Sequence, residues 1–284
     1  MTPAPPPDPT PDPNPDPNPS EPPSPALAAR DAAASDDRSH AGPQGGGPIV
    51  VLTCAVLELE VEHYRDRADR PLVVEVLPQG LHNEPDELRR RLQEAIDRAE
   101  ADHAPAAIVL GYGLCSRGTE GVRAATCPLV IPRAHDCITV LLGSKERYAR
   151  YVAENPGTYW YSPGWNKHHT PPGPERYENL YAQYVEKYGE DNAEFLMEAE
   201  QHWFSSYDNA TYVDLTVGAT DEDLAYTRKC AAWLNWNFDH QRGDPGLLID
   251  LLSGRWDAER FLVLEPGRTL KITADDRVIE AADV

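Results

Sequence analysis

Short apolar runs alternate with amphipathic stretches through the first half of the chain. Three runs have the length and β-branched composition of buried strands: residues 48–53, 72–77 and 107–110. Residues 85–104 carry apolar side chains at helical spacing, and a fourth apolar run follows at 128–131. Strand, helix and strand at such short spacing predict a parallel, Rossmann-like α/β sheet flanked by helices.

The second half of the chain is predicted to be mainly helical, with a helical insertion at about residues 174–236. The predicted elements are helices at 144–154, 175–188, 191–204, 221–236 and 245–252 and a strand at 211–215. Residues 261–264 and 269–272 are predicted to form either a hairpin or a strand with a turn. Residues 155–174 are dense in proline, glycine and aromatic residues. We interpret them as an irregular loop, which either covers a crevice or is held to the surface by its rings.

The N-terminal 47 residues differ in composition from the rest of the chain. They hold 14 of the 28 prolines and almost no large apolar side chains. Such a segment cannot bury enough surface to offset the entropy of ordering it, so a disordered tail is predicted. The predicted division is therefore this tail, a single α/β domain over residues 48–273, and an acidic C-terminal tail at 274–284.

The formal net charge of −21 excludes several classes of partner. Nucleic-acid backbones and anionic lipid surfaces both require a basic footprint, so neither is expected as the main partner. The N-terminus shows no secretory signal, and the five cysteines form no CxxC pair. These features predict a cytoplasmic protein with free or metal-bound thiols. A small-molecule or protein partner is left open.

Soft, ionisable side chains follow the ends of the predicted strands. Cys54 follows the first strand, Cys115 follows the third, and His135, Asp136 and Cys137 follow the fourth. In a parallel sheet, ligands bind in the crevice at the carboxyl ends of the strands. We therefore expect these side chains to meet there, whereas Cys127 and Cys230 are expected to be buried elsewhere.

Three types of chemistry remain open for this set of residues. Three thiolates with His135 as a fourth ligand would suit zinc, and iron or an iron–sulfur cluster is the alternative. Without a metal, one cysteine could act as a nucleophile, with His135 or Asp136 as base or orienting group. Cysteines are also among the most buried residue types and could simply fill space.

The turn after the third strand is rich in glycine. Gly111 and Gly113, with Arg117, could bind an anionic cofactor through a nest of backbone amides. Alternatively, the glycines let the backbone turn tightly around Cys115.

Five segments of the sequence resemble the bacterial and archaeal family catalogued as domain of unknown function 1638. They are VLTCAVLELE, LPQGLHNEPDELRRRLQEAID, IVLGYGLCSRGTEGV, LVIPRAHDCITVLLGSKERY and WDAERFLVLEPGRTL. The likeness spans residues 49–272 and is most specific in GYGLC and PRAHDC. The resemblance implies no established activity. It implies an association with corrinoid-dependent methyltransferase systems.

Two main hypotheses follow for the function. The first is an enzyme or enzyme-accessory protein with a zinc-thiolate site that serves methyl or other group transfer linked to corrinoid metabolism. The second is a non-catalytic module that holds or delivers a metal or small ligand. A metal-free cysteine enzyme is a further alternative.

Overall fold

The computed structural model describes residues 17–18, 42–43 and 45–283. Most of the predicted N-terminal tail, residues 1–47, lies outside these ranges. Its residues Pro17–Asn18 pair antiparallel with Asn155–Pro156.

The remaining strands and the α-helices are numbered in chain order. The strands are β1 (Ile49–Cys54), β2 (Leu72–Leu77), β3 (Ala107–Gly111), β4 (Leu129–Pro132), β5 (Thr158–Tyr161), β6 (Asn209–Asp214), β7 (Asn237–Arg242), β8 (Phe261–Leu264), β9 (Thr269–Ile272) and β10 (Ile279–Ala282). The helices are α1 (Glu58–Tyr64), α2 (Pro85–His103), α3 (Cys137–Leu142), α4 (Lys145–Glu154), α5 (Pro163–His168), α6 (Pro174–Tyr188), α7 (Glu190–His202), α8 (Asp221–Leu234) and α9 (Gly246–Leu252). Within the described residues, no helix is both long and apolar enough to cross a membrane.

A mostly parallel five-stranded sheet forms the centre of the fold, as predicted. Its strand order is β8-β4-β3-β1-β2, and only β8 runs antiparallel to its neighbour. The chain leaves β1 on one side to form β2, then crosses back and forms β3 on the other side of β1. This reversal makes the carboxyl ends of β1 and β3 the topological switch point, where such sheets open a crevice for ligands.

Alternating side chains of the central strands enter two separate apolar cores. In β1, Val50 and Leu52 pack on the face covered by α2, whereas Ile49 and Val51 pack on the face covered by α1 and α9. Every residue of β1 is buried, as expected for a strand at the centre of a parallel sheet. The apolar cores on the two faces of the sheet therefore hold the strand ends at the switch point in place.

A second, three-stranded parallel sheet was not predicted. Its order is β5-β6-β7, and α8 packs against it. The interpretation of residues 155–174 as an irregular loop was wrong, because β5 and α5 lie within them. The helix predicted to end at residue 236 ends at Leu234, and β7 follows directly.

The C-terminal segment also differs from the prediction. The strands at 261–264 and 269–272 form where predicted, but they do not pair with each other in a hairpin. β8 pairs with β4, and β9 pairs with β10. Since β10 lies within residues 274–284, that segment is partly strand and not only an acidic tail. The division of the chain into domains remains a prediction.

Candidate functional site

A cavity of about 260 Å³ lies at the topological switch point. All five of the residues predicted to meet at the strand ends line it. They are Cys54, Cys115, His135, Asp136 and Cys137. The rest of the wall is dominated by rings: His82, Tyr112, Tyr148, Tyr159, Trp160, Trp165 and Tyr207.

Three thiols form a cluster in one part of the cavity wall. The Cys137 thiol is within hydrogen-bonding contact of both the Cys54 and the Cys115 thiols. This contact lowers the pKa of Cys54, an effect that burial opposes and that hydrogen bonds involving Val56 and Tyr112 reinforce. The same contacts, with Cys115 contributing most, raise the pKa of Cys137 well above its ordinary value. The cluster therefore favours a thiolate at Cys54 beside a protonated Cys137.

Cys115 begins an unusual backbone turn. Cys115, Ser116 and Arg117 have φ values of 46°, 53° and 72°, so three consecutive non-glycine residues are left-handed. Each such residue costs roughly 1–2 kcal/mol relative to a right-handed conformation. The Gly118 amide donates to the Cys115 carbonyl at 2.8 Å and closes the turn. Strain of this kind persists only where the surrounding structure enforces it, and it concentrates at functional sites.

Backbone pairing beyond the sheet brings Cys115 towards Cys137. The Leu114 amide donates to the Ala134 carbonyl, and the Cys115 amide donates to the His135 carbonyl, both at 2.9 Å. Gly113 makes this approach possible, because a Cβ there would lie 2.4 Å from the backbone nitrogen of Asp136. Gly113 thus acts as a packing residue between the segments that follow β3 and β4.

Asp136 is the N-cap of α3. Its Oδ1 accepts from the Thr139 amide at 2.8 Å and from the Thr139 hydroxyl at 3.0 Å. Its Oδ2 accepts from the Tyr148 hydroxyl at 2.9 Å. The carboxylate predicted as a base or orienting group therefore holds the start of α3, and with it Cys137, in place.

Replacing Asp136 with alanine is expected to destabilise the protein by about 1–2 kcal/mol, because the cap of α3 is lost. Asparagine keeps a capping oxygen, so Asp136→Asn is expected to cost less than half as much. Urea denaturation of the two variants measures the difference. Equal losses would show that the negative charge of Asp136, and not its capping oxygen, stabilises this segment.

His135 lies at the rim of the cavity. Its side chain is exposed, and its ring stacks on Tyr148 with the centroids 5.6 Å apart. This position leaves the imidazole accessible to a molecule in the cavity and to solvent. The roles predicted for His135, as base or as metal ligand, remain predictions.

The residues predicted to bind an anionic cofactor lie outside the cavity wall. Gly111 is closely packed, since a Cβ there would lie 2.3 Å from the Thr53 hydroxyl oxygen. The exposed Arg117 side chain pairs with Glu120 at 2.8 Å. Gly111 and Gly113 thus support the alternative interpretation, in which glycines allow close packing around Cys115.

The aromatic side of the cavity is built by the second sheet and α5. Tyr159 and Trp160 belong to β5, and Trp165 belongs to α5. Trp160 lies near Tyr148, with ring centroids 6.4 Å apart. Aromatic residues of the segment 155–174 therefore line the same cavity as the thiols, and regular elements carry them. Tyr112, Tyr148 and Tyr207 had not been predicted as site residues, although the position of Tyr112 directly after the third predicted strand was a usable signal.

The other two cysteines are buried away from the cavity. Cys127 precedes β4 and Cys230 lies in α8, as predicted. Burial raises the pKa of Cys127 to about 12 and that of Cys230 to about 11. All five cysteines are free thiols. Across residues 45–283, no group of three or more His, Cys, Asp or Glu side chains has the arrangement of a metal site.

The fold and the cavity together define an α/β protein with a thiol cluster at the switch point of a parallel sheet. Residues 76–252 match the model of a family described as protein of unknown function (DUF1638), and the chain belongs to that family. The match includes Cys115, His135, Asp136 and Cys137 and begins after Cys54. Neither a curated protein nor a solved structure matches the chain.

Proposed function

We propose that the protein is a thiol-dependent enzyme that acts on a small molecule bound in the aromatic cavity, with Cys54 as the nucleophile. The observation that carries this proposal is that Cys54, Cys115 and Cys137 line one part of the same cavity, and the directions of their pKa shifts support it. Contact with Cys137 lowers the pKa of Cys54, whereas the pKa of Cys137 itself is raised. A thiolate, and not a thiol, is the attacking species in cysteine catalysis.

The reaction class is transfer of a carbon group. The Cys54 sulfur forms a bond to the transferred carbon as the bond from that carbon to its leaving group breaks. The leaving group departs with the electron pair and takes a proton from the Cys137 thiol, which then regains one from water. His135, at the rim, connects this proton exchange with solvent. Methyl transfer linked to corrinoid metabolism is one reaction of this class.

Iodoacetamide should label Cys54 faster than any other cysteine. Its rate should reach half of its maximum at a pH below 9, because the ordinary thiol pKa is 9.0 and that of Cys54 is lowered. Labelling of Cys127 and Cys230 should be slow over the same range, since burial raises their pKa values. Peptide mass spectrometry after timed labelling measures each rate.

Cys127→Ser is the matched control, because it removes a buried cysteine outside the cavity. The fast labelling phase should persist in that variant and disappear in Cys54→Ser. A fast phase that survives in Cys54→Ser would assign the nucleophile to another residue and overturn the proposal.

A zinc-thiolate centre is the second candidate, because Cys54, Cys115 and Cys137 line the same cavity, although the described residues do not hold them in the arrangement of a metal site. Zinc accepts thiolate ligands, and Cys54, Cys115 and Cys137 together supply three, with His135 at the rim as the fourth. The raised pKa of Cys137 opposes this use, because the ligand must lose its proton. Metal analysis of the purified protein decides the matter. About one zinc per chain, lost in Cys115→Ser, supports zinc, whereas less than about a tenth of an equivalent excludes it.

A further inference from the structure

Two hydrogen-bond donors in the cavity wall have no acceptor in the described part of the protein. The indole nitrogens of Trp160 and Trp165 are buried and have no hydrogen-bond partner there. Both side chains line the cavity. A buried polar group without a partner costs about 1–3 kcal/mol. The wall therefore offers donor groups that an oxygen atom of a bound molecule would satisfy.

The charges around the cavity select a neutral molecule. None of the lining residues is lysine or arginine. An anion would face the Asp136 carboxylate with no lysine or arginine side chain to balance it. A cation would be attracted to that carboxylate but would offer no acceptor to the indole groups. A neutral carbonyl compound meets both conditions, because its oxygen can accept two hydrogen bonds.

The shape of the cavity selects a planar molecule. Tyr159 and Trp165 lie edge to face at 6.3 Å, and the Tyr148 and Trp160 rings are nearly parallel. Such surfaces favour contact with another flat ring. The volume of about 260 Å³ exceeds the roughly 150 Å³ that accommodates benzene in an engineered apolar cavity. The cavity therefore has room for one ring with a small substituent.

We propose that the cavity binds a planar aromatic or unsaturated carbonyl compound, with its oxygen accepting from Trp160 and Trp165 and its carbonyl carbon beside Cys54. This inference rests on the proposed function and names its substrate class. The Cys54 sulfur adds to the carbonyl carbon, and the carbon–oxygen π bond breaks. With an aldehyde, which has no leaving group, the oxygen takes the proton of the Cys137 thiol to give a hemithioacetal, and Cys137 regains a proton from water. With an acyl compound, the carbon–oxygen π bond re-forms and the leaving group departs with the electron pair of its bond and takes that proton, as in the proposed transfer.

Benzaldehyde, labelled at its carbonyl carbon for NMR, tests the proposal on the full chain. Its carbonyl signal should be replaced by that of a hemithioacetal carbon. Calorimetric titration should show weaker binding of benzoate and of benzylamine, which is a cation at neutral pH. Cys54→Ser should still bind benzaldehyde but should form no adduct.

Tryptophan variants isolate the hydrogen bonds. Trp160→Phe and Trp165→Phe keep a ring and remove the donor, so each should weaken benzaldehyde binding about 2- to 10-fold. Trp233→Phe is the matched control, because Trp233 is exposed on α8 and does not line the cavity. It should leave binding unchanged.

Two different failures can be told apart. If Cys54 is rapidly alkylated but benzoate or benzylamine binds more tightly than benzaldehyde, the substrate class is wrong and the thiol-dependent function stands. The substrate class is equally wrong if both tryptophan variants bind benzaldehyde as the wild type does. If benzaldehyde binds through the tryptophans but Cys54 is neither alkylated nor converted to an adduct, the carbonyl recognition stands and the nucleophile is wrong.

Discussion

Replacing Glu60 with glutamine is expected to change the free energy of unfolding by about 3 kcal/mol more favourably at pH 8 than at pH 4. Glu60 lies in α1, is completely buried, and neither carboxylate oxygen has a hydrogen-bond partner among the described residues. Burial, with a smaller contribution from the nearby Asp214 carboxylate, raises the pKa of Glu60 from 4.5 to about 7. One pKa unit corresponds to about 1.4 kcal/mol, which gives the expected size.

The direction of this pH dependence follows from proton linkage. The folded protein holds the Glu60 proton more tightly than the unfolded chain does. The stability that this proton contributes is therefore complete below about pH 4.5 and is lost as the pH rises through about 7. Glutamine is neutral at every pH, so the stability of the variant does not fall in this way as the pH rises.

Urea denaturation of wild type and Glu60→Gln at pH 4 and pH 8 measures the effect. The unfolding free energy of the wild type is subtracted from that of the variant at the same pH. This subtraction removes the contributions of all other groups, because the substitution does not change their titration. Glu178→Gln, on the exposed surface of α6, is the control and should change stability by less than about 0.5 kcal/mol. The same difference at both pH values would show that folding does not change the pKa of Glu60.

Replacing Gly113 with alanine should destabilise the protein by about 3 kcal/mol. The added methyl would lie 2.4 Å from the Asp136 nitrogen and 2.7 Å from both the Asp136 Cα and the His135 carbonyl carbon. These are backbone atoms held by the cap of α3, so they cannot move aside as a side chain could. Overpacking of this kind typically costs about 1–3 kcal/mol, and more where the backbone must shift.

The same substitution should slow the alkylation of Cys54, because it separates the segment that carries Cys115 from Cys137 and so disturbs the thiol cluster. Thermal unfolding and iodoacetamide labelling provide the two measurements. Gly46→Ala is the matched control, since a methyl at Gly46 meets no atom within 4 Å. A Gly113→Ala protein with unchanged stability and labelling would falsify the packing role assigned to Gly113.

The position of the site could be predicted from the sequence because it depends on a few apolar runs. Each run is too short and too apolar to be anything but a buried strand, and a cysteine follows β3 and ends β1. Parallel strands must place these ends at one edge. The prediction of Cys54, Cys115, His135, Asp136 and Cys137 in one cavity needed no further information, and the structure brings the five together.

Features that depend on contacts between distant segments could not be predicted. β5 is a four-residue strand whose partner β6 lies about 50 residues away, and the prolines and glycines on either side of it are more typical of loops. The role of Asp136 as a cap depends on where α3 begins. The left-handed turn at Cys115 has no sequence signal, because its residues rarely adopt that conformation and only the surrounding packing enforces it.

The position of β8 has a consequence for the order in which the protein can fold. β4 ends at Pro132, but the strand that covers its outer edge begins at Phe261, so the central sheet is completed by one of the longest-range pairings in the chain. Pairings of this kind slow folding, because the closure of a long loop precedes any gain in contacts. Until β8 arrives, the buried strand β4 presents unpaired backbone groups next to the thiol cavity. An uncovered strand edge is a template for aggregation, so the C-terminal segment protects the nascent site as well as completing the sheet.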